Sequence, residues 1–430
     1  VRMTHKTASF VRNELIPESP PPVSETGAVK WMRENLFSSP LNIIMTIASL
    51  WAVYTLFNSV APWFLNGVWS GNSVRDCYEI LDGATGACFA VLKERWPQLI
   101  YGFKYPPSEF WRPNFAAVLL CVAIAPVLFS TVSKKLFLFT VVYPFLAFWL
   151  IWGGTILGPI VAFAGCAVAV LASRRLESYG FALAALCGFV CALVCWIFGG
   201  YLVDIGKDFL VLPSVPSRDM GGFMLNLILG TVCVSLSIPL GIMLALGRQS
   251  DMPIIKWICV CFIEFIRGVP LITLLFVANV VLAYFFPPDT NIDLILRVII
   301  MITLFSAAYI AEVIRGGLAA LPSGQFEAAN SLGLNYAQAM RLIILPQALK
   351  VSIPGIVNVA VGLFKDTTLV SIISMFDLVG MIRGPILSST AWNGVYWELF
   401  AFAALLFFVV CYGISQYSQW LERQLETDHR

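Results

Sequence analysis

Ten stretches of mostly apolar residues follow one another along the chain, separated by shorter polar segments. Each is close to the twenty or so residues that an α-helix needs to cross about 30 Å of hydrocarbon. The pattern therefore predicts an all-α, polytopic membrane protein. The predicted spans lie near 41–65, 115–132, 136–152, 155–173, 179–200, 222–246, 255–283, 294–314, 354–375 and 397–419.

The positions of lysine and arginine predict how these spans are oriented. Short basic connections stay on the cytoplasmic side of a membrane, and here they fall on the same side as both chain ends. Residues 1–40 are therefore predicted to form a cytoplasmic tail. The long loop near 67–112 also contains basic residues, but it contains acidic ones as well and is long enough to weaken the rule, so it is predicted to be periplasmic.

Composition supports the membrane assignment and limits the possible functions. Apolar residues make up 59% of the chain and charged residues only 12%, which leaves too few for an ordinary water-facing surface. A formal net charge of +2 argues against nucleic acid as a partner, because such proteins usually present a basic face. No constellation of metal ligands or nucleophiles is visible, so neither a metal site nor a catalytic residue is predicted.

One polar stretch, residues 324–349, interrupts the apolar pattern between two predicted spans. Ser323 is predicted to cap a short helix here, with Glu327 in its first turn, where a carboxylate favours the positive end of the helix dipole. Gly333 is predicted to end this helix in a left-handed conformation.

A second short helix is predicted directly after that glycine. Asn335 and Gln338 have the spacing of a capping box, and Pro346 is predicted to end the regular helix. The two helices would lie across the inner face of the membrane. An amphipathic pair that only packs on lipid explains the pattern alone about equally well.

The same stretch resembles the EAA motif of ABC-transporter permeases, and residues 220–425 resemble the permeases for polar amino acids. Segments such as FIEFIRGVPLITLLF and LFKDTTLVSIIS carry the wider resemblance. The resemblance implies a type I ABC-importer permease core of about five helices, in which the segment 322–349 is a coupling helix that docks into a separate ATPase subunit. The motif positions are Glu327, Ala328, Ala329, Gly333, Ile343, Leu345 and Pro346.

About five additional spans, in residues 41–215, precede this core. Parts of the long outer loop are similar to the extended permeases of broad-specificity L-amino acid importers. That similarity favours a general amino-acid system over one for a single amino acid. The added spans carry few polar residues, so a lipid-facing scaffold is the favoured interpretation of their role.

The resemblance also implies the partners and the location. These are an L-amino acid delivered by a periplasmic binding protein, two copies of an ABC ATPase, and a second permease chain in the bacterial inner membrane. A heterodimer is favoured, and the sequence leaves a homodimer open. The chain has no Gly-x-x-x-x-Gly-Lys-Ser/Thr loop, so we expect no enzyme activity or cofactor in it, and ATP and Mg²⁺ in the ATPase subunit.

Two other functional classes remain open from the residues alone. An ion-coupled secondary transporter would also carry charged side chains within its spans. A membrane scaffold without transport activity is the second alternative.

One charged pair within a predicted span is a candidate for the substrate pathway. Glu264 and Arg267 lie one helical turn apart and are predicted to pair on one face. Gly268 and Pro270 follow immediately and predict a bend. A purely structural ion pair is an equal alternative.

Lys365, Asp366 and Thr367 form a second candidate for the pathway. If their helix starts near Pro354, a rise of about 1.5 Å per residue places Asp366 near the middle of the hydrocarbon. Asp366 could there receive the α-ammonium group of an amino acid, with Asn358 as a further polar contact two turns earlier. A network that only holds helices together is the alternative.

Cys77 and Cys88 are the only two of the eleven cysteines away from the apolar runs. In an oxidising compartment they could form a disulfide. Two reduced thiols in a folded loop are the alternative, because sequence spacing does not show whether the two Cα atoms come within reach.

Overall fold

The computed structural model describes residues 27–129, 131–176, 181–281, 284 and 293–426. It is built of α-helices, and the one sheet among these residues pairs two short antiparallel strands, β1 (Gly154–Thr155) and β2 (Val211–Leu212). The predicted all-α fold is confirmed. Residues 1–26 of the predicted cytoplasmic tail lie outside the described residues.

The helices follow one another in chain order with few irregular elements between them. Before residue 220 they are α1 (Gly27–Asn35), α2 (Pro40–Leu65), α3 (Val74–Leu81), α4 (Ala90–Glu94), α5 (Trp96–Tyr101), α6 (Trp111–Leu128), α7 (Phe137–Trp152), α8 (Leu157–Leu176) and α9 (Phe181–Ile205), with 3₁₀ turns at Pro107–Glu109, Lys134–Leu136 and Ser217–Asp219. After it they are α10 (Gly222–Arg248), α11 (Pro253–Gly268), α12 (Leu271–Phe276), α13 (Leu294–Ala319), α14 (Ser323–Ser331), α15 (Tyr336–Ala339), α16 (Leu345–Asp366), α17 (Leu378–Met381) and α18 (Tyr396–Glu426).

Three π-helical segments and one longer 3₁₀ segment extend these helices after residue 220. The π segments are Val277–Val281, Met340–Ile344 and Ile382–Ile386, and the 3₁₀ segment is Thr367–Ile373.

The described chain forms two compact units. The first contains residues 27–68 and 81–87, and the second contains 69–80 and 88–426. In the first unit, α2 is a helix of 26 apolar or weakly polar residues, long enough at about 1.5 Å per residue to cross a bilayer. Its N-cap residue Ser39 accepts a hydrogen bond from the backbone amide of Asn42, which satisfies one of the free amides at the helix start.

In the second unit, α8 and α9 pack against each other through glycines. A Cβ atom at Gly165 would strike the ring of Trp196, and one at Gly199 would strike the side chain of Val161. Small residues allow membrane helices to approach closely, so van der Waals packing makes up most of this interface, and the Trp196 indole adds one hydrogen bond to the carbonyl of Ala162 at 3.2 Å.

Arg112 joins the start of α6 to the end of α7 and to the chain that leads into α10. Its side chain is fully buried, with Nε donating to the carbonyl of Leu150 at 2.6 Å and a terminal nitrogen donating to the carbonyl of Pro213 at 2.8 Å. Glu109 lies 3.5 Å away and supplies a counter-charge. A buried guanidinium needs such partners, so this contact fixes the three segments relative to one another.

Helices α10, α13 and α16 form the centre of the second unit. In the apolar window of α13, 50% of the residues are buried, and Ile302, Ile310 and Ile314 are almost fully so. Lipid is as apolar as these side chains, so close packing between helices holds this bundle together.

The predicted spans agree with the structure, with two differences. Nine helical runs among the described residues are long and apolar enough to cross a membrane, and Pro253–Gly268 with Leu271–Val281 forms a tenth that bends by 103° where the sequence predicts it. The predicted span 354–375 is wrong at its start, because the helical run extends over Tyr336–Ile373. Residues 130, 179–180 and 282–283 of the predicted spans lie outside the described residues.

Consecutive spans place their ends on two opposite faces of the second unit. We call the face that carries α14 and α15 the EAA face. The opposite face carries the segments 102–105, 217–222 and 374–381, which contact one another: the amide of Gly222, for example, donates to the carbonyl of Phe376 at 2.8 Å.

Candidate functional site

The first helix of the EAA segment is α14, which differs from the prediction at its start. Its N-cap residue is Pro322, and no side chain caps it, so the prediction that Ser323 is the cap was wrong. Ser323 is already helical, and its hydroxyl is therefore not in the N-cap position. Glu327 falls in the second turn rather than the first.

Burial distinguishes the three residues of the Glu-Ala-Ala sequence. Ala329 is fully buried, whereas Glu327 and Ala328 are exposed. Ala329 thus anchors α14 to the permease itself, and the other two side chains remain available to a partner.

Gly333 forms the elbow after α14, as predicted. Its φ of +72° is left-handed, its amide donates to the carbonyl of Asn330 at 2.9 Å, and the next amide, of Leu334, donates to the carbonyl of Ala329 at 3.3 Å. This pair of bonds is a Schellman motif. A Cβ atom at Gly333 would meet nothing within 4 Å, so glycine is required here by the backbone conformation and not by space.

The second helix of the EAA segment begins with the predicted capping box. The side chain of Asn335 accepts from the amide of Gln338 at 2.9 Å, and the side chain of Gln338 accepts from the amide of Asn335 at 3.1 Å. The prediction that this helix ends at Pro346 was wrong. The helix passes through the π segment Met340–Ile344 into α16, where Pro346 occupies the first turn.

The EAA segment is therefore continuous with a membrane helix. Gln347 near the start of α16 donates to the side chain of Gln325 in α14 at 3.0 Å, which ties the two ends of the segment together. Of the other motif residues, Ile343 and Leu345 are half-buried and Pro346 is exposed. A displacement of α14 would reach α16 without a flexible connection between them.

Glu264 and Arg267 do not pair with each other, and this prediction was wrong. Glu264 accepts from Arg248 at 2.9 Å, and Arg267 lies 3.5 Å from Glu312. Glu312 also lies 3.4 Å from Arg248 and accepts from Arg315 at 2.6 Å. Helices α10 and α13 bring nearer partners to both residues than the helical neighbour one turn away.

This five-residue charge cluster binds α10, α11 and α13 together toward the EAA face. Glu312 is its centre, with 23% of its side chain exposed. The sequence analysis missed Arg248, Glu312 and Arg315. The spacing of Glu312 and Arg315 within the apolar run AAYIAEVIRGG, one helical turn apart, was a usable signal.

The second set of candidate pathway residues is placed differently from the prediction. Helix α16 begins at Leu345 instead of near Pro354, and Asp366 is its last residue before the 3₁₀ segment Thr367–Ile373. The predicted position of Asp366 near the middle of the hydrocarbon stays a prediction. Asn358 and Lys365 are exposed, and Asp366 is half-buried. The structure does not bring these three side chains together into one site.

Thr367 belongs to a buried polar node toward the opposite face. The Asn226 side-chain nitrogen donates to the Thr367 hydroxyl at 2.9 Å and to the carboxylate of Asp377 at 3.2 Å. All three side chains are completely buried. Asp377 also accepts from the amides of Val379 and Gly380 at the start of α17.

The node holds the segment before α17 against the first turns of α10. The amide of Leu378 donates to the side-chain oxygen of Asn226 at 3.1 Å, which completes the contact. Burial raises the pKa of Asp377 to about 6, and its hydrogen bonds only partly oppose this shift. Asn226 and Asp377 were missed because their partners lie more than one hundred residues away along the chain.

Cys77 and Cys88 are joined in a disulfide, with their Cα atoms 5.7 Å apart. The amide of Cys88 donates to the buried carboxylate of Glu398 at 2.9 Å, and the amide of Val74 donates to the carbonyl of Ala391 at 2.8 Å. The cross-linked loop is thereby fixed to the start of α18.

Comparison with known proteins identifies the family of the chain. A family model described as "Binding-protein-dependent transport system inner membrane component" matches residues 237–427. The chain is 51% identical to the glutamate/glutamine/aspartate/asparagine transport system permease protein BztC of Rhodobacter capsulatus, over 98% of this chain and 99% of that protein. The chain belongs to the amino-acid ABC transporter permeases.

Two further relatives show how much of the permease is shared. The inner membrane amino-acid ABC transporter permease protein YhdY of Escherichia coli is 37% identical over 96% of this chain and 98% of its own. The probable glutamine ABC transporter permease protein GlnM of Bacillus subtilis is 32% identical, over 50% of this chain but 95% of its own. The region before the core is thus shared with some relatives, whereas GlnM is a shorter protein.

Among solved structures, the crystal structure of an amino acid ABC transporter with histidines is similar to this permease. The sequence identity is 32%, the TM-score is 0.42, and the match covers 47% of this chain and 92% of that one.

Family membership establishes the general role of the protein. It is a transport subunit of an ABC importer in the bacterial inner membrane, it works with ATPase and binding-protein partners, and ATP hydrolysis belongs to the ATPase. This decides against an ion-coupled secondary transporter and against a scaffold without transport activity.

Proposed function

We propose that this permease imports L-glutamate, L-glutamine, L-aspartate and L-asparagine. A periplasmic binding protein would deliver them, and two copies of an ATPase would supply the energy by hydrolysing ATP with Mg²⁺. The printed specificity of BztC supports this set, since that protein is 51% identical to this chain over nearly its whole length. No ATP or Mg²⁺ would be bound by the permease itself.

The geometry of the EAA segment carries the proposed coupling. Glu327 and Ala328 are exposed on α14, and the apolar side chains of Leu332 and Tyr336 beside the elbow are 73% and 61% exposed. Such a projecting surface of carboxylate, small and apolar groups fits a cleft on an ATPase subunit. Continuity with α16 would carry the motion of that subunit into the membrane helices.

Both described ends of the permease are proposed to lie toward the cytoplasm. Three basic pairs lie in or beside the short connections on the EAA face, as expected for the side that retains short basic loops: Lys134 and Lys135, Arg174 and Arg175, and Arg248 and Lys256. The opposite face, with the disulfide-linked loop, would then meet the periplasm, where disulfides form.

A second, different permease chain is proposed to complete the membrane part of the transporter. The sequence contains one EAA segment, and two ATPase subunits need two docking sites, so two permease chains are needed. The resemblance to broad-specificity L-amino acid importers supports a second chain that differs from this one. Purification of the transporter through a tag on this chain, followed by native mass spectrometry, tests the stoichiometry. One tagged copy per complex supports a heterodimer, and two copies would refute it.

Reconstitution tests the proposed substrates and energy source. The permease, its partner permease, the ATPase and the binding protein are placed in proteoliposomes, with ATP on the ATPase side, and uptake of radiolabelled L-glutamate is measured. We expect ATP-dependent uptake that the other three amino acids inhibit. Replacing the P-loop lysine of the ATPase should abolish it. ATP-driven uptake of none of the four amino acids would contradict the proposal.

A further inference from the structure

A cavity of about 340 Å³ opens on the opposite face, where the region before the core meets the core. Its size falls within the usual range of small-molecule sites, which begins near 300 Å³. Three parts of the chain line it: the outer loop, the turn that leads into α10, and the core. The lining residues include Phe103, Lys104, Arg218, Asp219, Ser374 and Met381.

Close contacts between backbones hold the walls of the cavity in place. A Cβ atom at Gly102 would lie 2.7 Å from the Cα atom of Gly221, and one at Gly221 would lie 2.5 Å from the carbonyl oxygen of Phe376. Gly102 also has a left-handed φ of +94°, so both the backbone conformation and the lack of room for a Cβ atom require glycine there. These contacts place Lys104, Asp219 and Ser374, which are near neighbours of the three residues in sequence, around one opening.

The floor of the cavity is apolar and its mouth is charged. Met220, Ile295 and Met381 are each at most 3% exposed and form part of the floor. At the mouth, Lys104 lies 3.8 Å from Asp219, with 64% and 29% of the two side chains exposed.

Arg218 gives the mouth its net charge. It is exposed, and it makes none of the ion pairs found among the described residues. Among the residues that the structure describes, the mouth thus offers two cations and one anion, and one of the cations has no acidic partner. An acidic amino acid offers the complementary set, two carboxylates and one ammonium group.

We propose that this cavity is a receiving site for acidic L-amino acids on their way from the binding protein into the permease. Arg218 and Lys104 bind the two carboxylates, Asp219 binds the α-ammonium group, and the methionine and isoleucine side chains contact the methylene groups. The proposal rests on the proposed function, because it takes the substrate class from there. It also assigns a function to the region before the core, because that region supplies Phe103, Lys104, Arg218 and Asp219.

Protection of a thiol at the mouth tests the site directly. Ser374→Cys is made in the full transporter, which is placed in lipid nanodiscs without ATP or binding protein, and labelling of the new thiol by a neutral, hydrophilic maleimide is timed. Saturating L-glutamate should slow labelling at least tenfold. Ser388→Cys, an exposed serine on the same connection but outside the cavity, should be labelled at an unchanged rate.

Substitutions at the mouth then assign the contacts. In the Ser374→Cys background, Arg218→Gln should raise the L-glutamate concentration for half-protection about tenfold, because the neutral amide removes the charge that binds one carboxylate. Arg75→Gln, at an exposed arginine in the outer loop and outside the cavity, should not change it. Asp219→Asn should abolish the preference for L-glutamate over glutarate, which has both carboxylates but no ammonium group.

Each opposite result contradicts the proposal in a distinguishable way. If the transporter imports L-glutamate with ATP but L-glutamate does not protect the thiol, the receiving site is wrong and the proposed function stands. Protection that is insensitive to Arg218→Gln, or equal protection by sulfate at the same concentration, also overturns the site. Failure of ATP-driven uptake for all four amino acids overturns the proposed function, and the site with it.

Discussion

The α8–α9 pair and the bundle of α10, α13 and α16 are both apolar and helical, but they use polar groups differently. In α8 only 6% of the residues in the apolar window are buried, against 50% in α13. Helices α8 and α9 meet mainly through glycines and apolar side chains, with one hydrogen bond from the Trp196 indole to the carbonyl of Ala162. The bundle instead contains the Glu312 charge cluster and the buried node of Asn226, Thr367 and Asp377.

The difference shows which part of the permease can transmit motion in discrete steps. Among the described residues, the interface of α8 and α9 contains one hydrogen bond and no ion pair, so it offers few polar contacts that could be exchanged. Charged and hydrogen-bonded groups have defined partners that can be exchanged, and every helix of the bundle contacts at least one such group. In the region before the core, Arg112 makes contacts of this kind where that region leads into α10.

The largest effect is expected from a substitution of Gly333, where the backbone conformation requires glycine although there is room for a side chain. Gly333→Val should reduce ATP hydrolysis stimulated by the loaded binding protein more than tenfold. The left-handed conformation costs a residue with a Cβ atom about 1–2 kcal/mol, and the elbow would shift to avoid that cost. ATPase assays of the reconstituted transporter measure the effect.

Gly200→Val in α9 is the matched control. A Cβ atom at Gly200 also meets nothing within 4 Å, but its backbone is helical, so activity and membrane insertion should be normal. If Gly333→Val inserts normally and retains stimulated hydrolysis, the elbow does not couple the two subunits.

A smaller loss of stability is expected when the charge cluster loses its centre. Glu312→Gln leaves Arg248, Arg267 and Arg315 without their shared carboxylate and should destabilise the transporter by about 1–2 kcal/mol, since Glu312 is only partly exposed. Thermal unfolding in detergent and uptake should both decline. Asp204→Asn, which removes the exposed pair with Lys207 after α9, should change neither. Equal effects of the two substitutions would argue against a special role of the cluster.

The smallest predicted effect is a pH dependence that the buried node introduces. Burial raises the pKa of Asp377 to about 6, so the folded protein binds this proton more tightly than the unfolded chain does. The sign follows from linkage: the contribution is present below the ordinary carboxyl pKa, declines as pH rises, and is absent above about pH 6.

Comparison of wild type with Asp377→Asn between pH 7 and pH 5 tests this effect. Wild type should gain about 1 kcal/mol relative to the variant as the pH falls, because the amide does not titrate. A constant difference in unfolding temperature across this range would show that the carboxyl group does not titrate there.

Length and periodicity of the apolar runs determined the all-α membrane fold, because hydrocarbon requires helices of about twenty residues whatever their neighbours are. The left-handed conformation of Gly333 and the capping box at Asn335 were also predictable from the sequence. Both depend only on residues within about three positions along the chain. The bend at Gly268 and Pro270 was predictable for the same reason.

Only the tertiary structure decided the contacts between helices. Glu264 pairs with Arg248 and not with Arg267, and Asp377 accepts a hydrogen bond from Asn226 in another helix. Asp366 lies at the end of α16, because the helix continues past Pro346 through a π segment. The cavity is the clearest case, because the separation of 102, 221 and 376 along the chain gives no sign that their backbones touch. A charged or polar side chain pairs with the partner nearest to it in space. Spacing along the sequence predicts that partner only when both residues lie within about one turn of the same helix.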